Sequence, residues 1–185
     1  MDLNQWFNKG ISVQEYQNSL DKHKEGFHHI YKEFNIPEKD NEFIQQLKQN
    51  NWRIIVLAEP WCGHCMLNIP VLLRLAEKAN IPVKILPRDQ HLELMDQYLT
   101  NGKRVIPIFV FINEHGEEVA KWGPLAPKTK AFVEQHKKDL PPKTAEDYDE
   151  KFQALIKLTS KTFIEDETFR NASYEDIKRS LQQAI

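Results

Sequence analysis

Two side chains in this sequence can do thiol chemistry, Cys62 and Cys65, and they are its only cysteines in 185 residues. They stand in "EPWCGHC", Glu59–Cys65, as a C-x-x-C pair directly after a tryptophan. A thiol is a weak nucleophile until it loses its proton, and C-x-x-C motifs lower that barrier, with pKa values of roughly 3.5 to 7.5 against about 8.5 for a free cysteine. The spacing puts Cys65 one helical turn beyond Cys62. Cys62 would attack a disulfide as a thiolate, and Cys65 would then attack the mixed disulfide and release the product. Two other roles compete with this one. A structural disulfide suits an oxidising compartment, and tetrahedral zinc needs four ligands where only one cysteine pair exists. His23, His28 and His29 do not supply the rest, because adjacent histidines point to different helix faces. No metal and no tightly bound cofactor is expected.

The elements around the pair place it. "RIIVLA" is a run of apolar, largely β-branched residues and predicts a strand buried on both faces. "MLNIPVLLRLAEKAN" predicts a helix with an apolar face of Leu67, Val71, Leu72 and Leu75, kinked at Pro70 by its missing donor. The cysteines therefore fall between a strand end and a helix start, where unpaired amides and the helix dipole favour a negative charge on Cys62. "IPVKILP" predicts a second strand and "DQHLELMDQYLTNG" a helix capped by Asp89. "IPIFVFI", a turn at "NEHG" and "EEVAKW" predict an antiparallel pair. "LAPKTKAFVEQHKKDL" predicts a further helix. The order β-α-β-α-β-β-α gives an α/β (α+β) class: a mixed sheet with a parallel βαβ unit and helices on both faces. Before it, the capping box "SVQE" at Ser12 starts a helix running to Pro37, and a second spans Glu38 to Gln49. After "DLPPK", Thr144 and Ser173 are expected to cap two last helices with apolar stripes. These patterns divide the chain into an N-terminal helical extension (1–37), a sheet domain (38–140) and a C-terminal helical extension (141–185).

"EPWCGHC", followed about forty residues later by "RVIPIF" and then by "KWGP", resembles the thioredoxin superfamily over about Phe43 to His136, and "PWCGHC" is similar to disulfide-isomerase active sites. The resemblance implies a thioredoxin-like sheet with added terminal helices. It implies that the Ile106–Pro107 bond is cis and lies beside Cys62, and that Ile106 offers its backbone to an extended substrate. It further implies that Trp61 shields the thiols and that Gly123 leaves room for the substrate. His64 replaces the proline of typical thioredoxins. An imidazole there could donate to the Cys62 thiolate, or attract it when charged, and so make the pair a stronger oxidant. One departure stands out. The buried acid common in the family six residues before the first cysteine is Val56 here, and its usual lysine partner falls near Ile85. Either charge alone would be buried and unpaired. Glu59, or a bound water, is the remaining candidate for moving the Cys65 proton.

The bulk composition bounds the rest. A formal net charge of -2 offers no strong field for nucleic acid or an anionic membrane. The longest apolar runs fall far short of the ~20 residues that span a bilayer. "MDLNQWFNKGIS" lacks the features of a secretory signal, so a cytoplasmic location is expected, where disulfides are mostly transient and catalytic. The sequence thus predicts a thiol–disulfide oxidoreductase acting on disulfide-containing proteins or on mixed disulfides with low-molecular-weight thiols. A reductase or thiol pool would supply its electrons. The alternative is a redox-responsive binding module that switches partners without turnover. The terminal helices are expected to cover sheet edges, narrow the active-site surface or form a homodimer.

Overall fold

The computed structural model describes residues 1–185. Four strands form one mixed sheet in the order β2-β1-β3-β4: β1 Arg53–Ala58, β2 Val83–Pro87, β3 Ile108–Ile112 and β4 Glu118–Trp122. β1 pairs in parallel with β2 and antiparallel with β3, and β3 continues antiparallel into β4. The β1–β2 crossover is the helix α5, Gly63–Ala79, which runs unbroken through Pro70. Alternate residues of a strand face opposite sides of its sheet. Every residue from Ile54 to Ala58 and from Ile108 to Ile112 is buried, so helices cover both faces of the central strands.

The N-terminal helices are α1 (Leu3–Lys9), α2 (Val13–Asn18), α3 (Lys24–Glu33) and α4 (Asn41–Lys48). The capping box forms as the sequence predicts, with Ser12 Oγ accepting from Glu15 N at 3.1 Å and Ser12 N donating to Glu15 Oε2 at 2.7 Å. The single helix expected from Ser12 to Pro37 does not form. Ser19 donates its hydroxyl and its amide to last-turn carbonyls and ends α2. The turn that follows buries Leu20 and His23. Just before α2, Ile11 exchanges both backbone hydrogen bonds with Ile85, which covers the outer edge of β2.

Beyond β2 the expected long helix shrinks to a 3-10 turn, Arg88–Gln90, and the four-residue helix α6, Leu92–Met95. Asp89 caps neither. Its amide donates to Glu59 Oε1 at 2.8 Å and its carboxylate is taken by Arg88. α7, Pro127–Lys137, follows β4 with Pro127 at its first position, where no donor is missed. α8 spans Tyr148–Glu165 and α9 Glu167–Gln182. Thr144 does not cap α8, which begins after Asp147. Ser173 does not cap α9 either. Asp166 does, accepting from Thr168 N at 2.9 Å, and Ser173 lies fully buried inside the helix. One apolar core runs through all three segments, from Leu3 through the sheet to Leu181.

Candidate active site

β1 carries the chain into the centre of the sheet and ends at Ala58; α5 starts five residues later at Gly63. Cys62 is the residue preceding α5, with extended backbone (φ -86°, ψ 120°), and so meets the unpaired amides of the first turn. Both cysteines are free thiols. The Cys62 sulfur lies 3.7 Å from the carbonyl oxygen of Ile106. Cys62 is 9% exposed, whereas Cys65 is fully buried, so Cys62 is the thiol that solvent reaches.

The two sulfurs are driven apart in acidity. The Cys65 thiol donates to the Cys62 sulfur, which lowers the Cys62 pKa against the opposing effect of burial. The backbone amides of Cys65 and His64 and the charge of Arg88 lower it further. Cys65 is pushed well above the ordinary thiol range, first by burial, then by its hydrogen bond to Cys62 and by the charges of Cys62 and Glu59. One sulfur is a thiolate in waiting and the other holds its proton, the division that nucleophile and resolving thiol require.

The structure brings the other expected residues to this point in different ways. Trp61 is half exposed and flanks the sulfur, with the Arg88 guanidinium 5.1 Å from its ring centre. Ile106 and Pro107 are buried beside Cys62 and joined by a cis bond, and Gly123–Pro124 is cis as well. Gly123 has φ +131°, and a Cβ there would lie 2.2 Å from the Pro107 carbonyl oxygen. What Gly123 makes room for is therefore the chain's own segment at Pro107. Val56 and Ile85, the two places where the family's charged pair would stand, are register partners on β1 and β2 and are fully buried. Glu59 is buried, with one carboxylate oxygen held by the Asp89 amide.

The His64 ring is partly buried. Burial, reinforced by Lys137, lowers its pKa to about 4, and its ring centre lies 6.2 Å from that of Phe163. The imidazole is uncharged at neutral pH, so the attraction expected of it is absent. The His64 backbone amide also lowers the Cys62 pKa.

Several residues at the site carried no sequence signal beyond apolar or helical patterning. The buried Tyr16 donates to the Glu59 carbonyl at 3.2 Å, and burial together with the charges of both cysteines raises its pKa. His23, also buried, has Nε2 3.1 Å from the Trp61 carbonyl oxygen and fixes the loop before Cys62. Asn68, fully buried in α5, donates to the His64 carbonyl at 2.9 Å and to Pro124 at 3.4 Å. Its oxygen accepts from Ser173 at 2.6 Å, with the Phe169 carbonyl 3.1 Å from the same hydroxyl. This places α9 in the framework of the thiol helix. α8 forms one wall of a cleft of about 420 Å³ that opens on Cys62. No group of three or more histidine, cysteine or carboxylate side chains converges as a metal site. No helix is long and apolar enough to cross a membrane.

The sequence model of a family described as thioredoxin matches residues 10–138, more than half of the chain. The chain belongs to the thioredoxin family. The match begins well before Phe43, where the resemblance in the motifs begins, and takes in α2, which carries Tyr16, and the turn before α3, which carries His23. Comparison with curated proteins gives no match. Among solved structures, a protein of unknown function from Pseudomonas aeruginosa is similar at a TM-score of 0.70 and 15% identity, covering 100% of this chain and 99% of that one. An HIV epitope-scaffold is similar at 0.70 and 14% identity, with 100% of both chains covered. At these identities the likeness is one of fold, and it extends over the terminal helices of this thioredoxin-family chain. The family and the adjacent cysteine pair together point to redox chemistry.

Proposed function

We propose that the protein is a thiol–disulfide oxidoreductase in which Cys62 is the nucleophile and Cys65 the resolving thiol. The observation that carries this reading is the placement of two free thiols one turn apart, Cys62 at the start of α5 and partly exposed, Cys65 within α5 and fully buried, a setting that drives their acidities in opposite directions. Reduction of a substrate begins with attack of the Cys62 thiolate on one sulfur and departure of the other as a thiolate. Cys65 then attacks Cys62, the second substrate sulfur leaves, and the Cys62–Cys65 disulfide holds the oxidised state. Trp61, the Ile106 backbone and Pro107 form the surface along which the substrate disulfide lies, and Gly123 keeps the Pro107 segment in place. Cys65 must lose a proton in a buried setting where Val56 replaces an acid. Glu59 is the candidate acceptor, directly or through water, and slow resolution of the mixed disulfide is expected. Substrates are disulfide-containing proteins or mixed disulfides of the cytoplasm, and a reductase or low-molecular-weight thiol restores the dithiol.

Insulin reduction with a thiol donor tests the proposal. Turnover by the wild type, its loss in Cys62→Ser and accumulation of mixed disulfides on Cys62 in Cys65→Ser are the expected results. The limited exposure of Cys62 beneath α8 favours one other reading, a redox switch of partner contacts. A reversible Cys62–Cys65 disulfide without turnover would select it.

A further inference from the structure

The cleft at Cys62 has an apolar wall and a rim of one sign. Phe152, Leu155 and Ile156 of α8 and Val133 of α7 supply aliphatic and aromatic surface. Every charged residue that lines it is basic: Lys22, Arg88, Arg104 and Lys137. The two arginines are ion-paired, to Asp89 and Asp96. Lys22 and Lys137 take part in none of the ion pairs of the molecule. A second hollow shares Lys22, His23, Ile156 and Ser160 with the cleft and adds Lys157 and Lys161 against the single acid Glu165. This local excess of positive charge stands in a chain whose net charge is -2. The cleft volume falls within the range of small-molecule sites, about 300–1,000 Å³.

We propose that this cleft seats the small half of a mixed disulfide, a low-molecular-weight thiol bearing carboxylates, with Lys22 and Lys137 as its anion contacts. The apolar wall packs its methylene groups while the ammonium groups meet its carboxylates at the rim. The inference rests on the oxidoreductase reading of Cys62 and deepens it. The Cys62 thiolate attacks the small thiol's sulfur, the other half of the substrate leaves as a thiolate, and the small thiol remains joined to Cys62 in the cleft. Attack by deprotonated Cys65 then expels it as a thiolate. The substrate disulfide gains the two electrons that the Cys62–Cys65 dithiol loses.

Stopped-flow oxidation of the reduced protein by three small disulfides tests this: dithiodiglycolate (anionic), hydroxyethyl disulfide (neutral) and cystamine (cationic). The readout is the anionic-to-cationic rate ratio in the wild type divided by that in the Lys22→Gln, Lys137→Gln double variant, so intrinsic reagent reactivity cancels. A quotient of about tenfold or more is expected, the low end of electrostatic steering at a charged cleft. In the wild type alone, raising salt to about 1 M should slow dithiodiglycolate and speed cystamine, because screening shortens the reach of the lysines. A quotient within about twofold of one, or salt responses of the opposite sign, overturns the inference. If all three reagents oxidise Cys62 without charge preference, the oxidoreductase reading stands and the anionic ligand falls. If none oxidises it, both fall.

Discussion

At the residue scale the site depends on which groups stay neutral. Cys62 is favoured as a thiolate by the Cys65 thiol and the first amides of α5, while His64 is kept uncharged by burial and Lys137. The His64 pKa of about 4 lies below the unfolded value near 6.5, so below pH 6.5 the unfolded chain binds the extra proton. His64 therefore adds stability that is fully present above pH 6.5 and is lost as pH falls toward 4. The unfolding free energy from urea titrations across this window should fall by up to about 3 kcal/mol in the wild type and by less in His64→Phe. Equal pH slopes in both proteins would contradict the assignment. Gly123→Ala should destabilise by about 3 kcal/mol or more, since its Cβ would meet the Pro107 carbonyl and its backbone is left-handed. Thermal unfolding would show this, and a melting point within a degree or two of wild type would contradict it. The cysteines and the Ile-Pro segment were legible because their types and order are distinctive. The His64 environment was not, because Phe163 and Lys137 lie about a hundred and about seventy residues away in sequence.

At the element scale, the apolar pattern predicted well where burial alone fixes a segment and failed where long-range hydrogen bonds decide. The strands and α5 follow from their apolar runs. Asp89 and Ser173 have the chemistry of caps, yet the Asp89 carboxylate pairs with Arg88 while its amide is held by the distant Glu59, and the Ser173 hydroxyl is claimed by the distant Asn68. Local signals cannot anticipate this. The same is true of Asn68, a polar residue in an apolar helix with partners in two other parts of the chain, Pro124 and Ser173. Ser173→Ala should cost about 1–3 kcal/mol, because it leaves the Asn68 carbonyl oxygen buried without its donor. Chemical denaturation measures this; an effect below about 0.5 kcal/mol would show that the Asn68–Ser173 link does not hold α9 to α5.

At the scale of the whole molecule, the C-terminal helices are part of the core. Phe163, Phe169, Tyr174, Ile177 and Leu181 are all at most 4% exposed. Tyr174 donates to the buried Asp40 at 2.9 Å, and Lys178 pairs with the same carboxylate at 3.2 Å. Burying a large apolar side chain contributes about 1.5–3 kcal/mol. Five of them approach the whole stability of an ordinary domain, about 5–15 kcal/mol. A chain ending at Leu140 should therefore lose solubility or cooperative unfolding, as ultracentrifugation and calorimetry would show. A soluble, cooperatively folded truncation would contradict this role. The apolar stripes of both helices were legible in the sequence. That α8 would wall the Cys62 cleft was not, since nothing in a stripe says which surface it meets.

The most direct test is the pH dependence of Cys62 alkylation in the reduced wild-type protein, read by mass spectrometry at each cysteine. Cys62 should become reactive well below the pH at which a free cysteine does, and Cys65 only far above it. A Cys62 that titrates with free cysteine, or two thiols that titrate together, would contradict the account at its base.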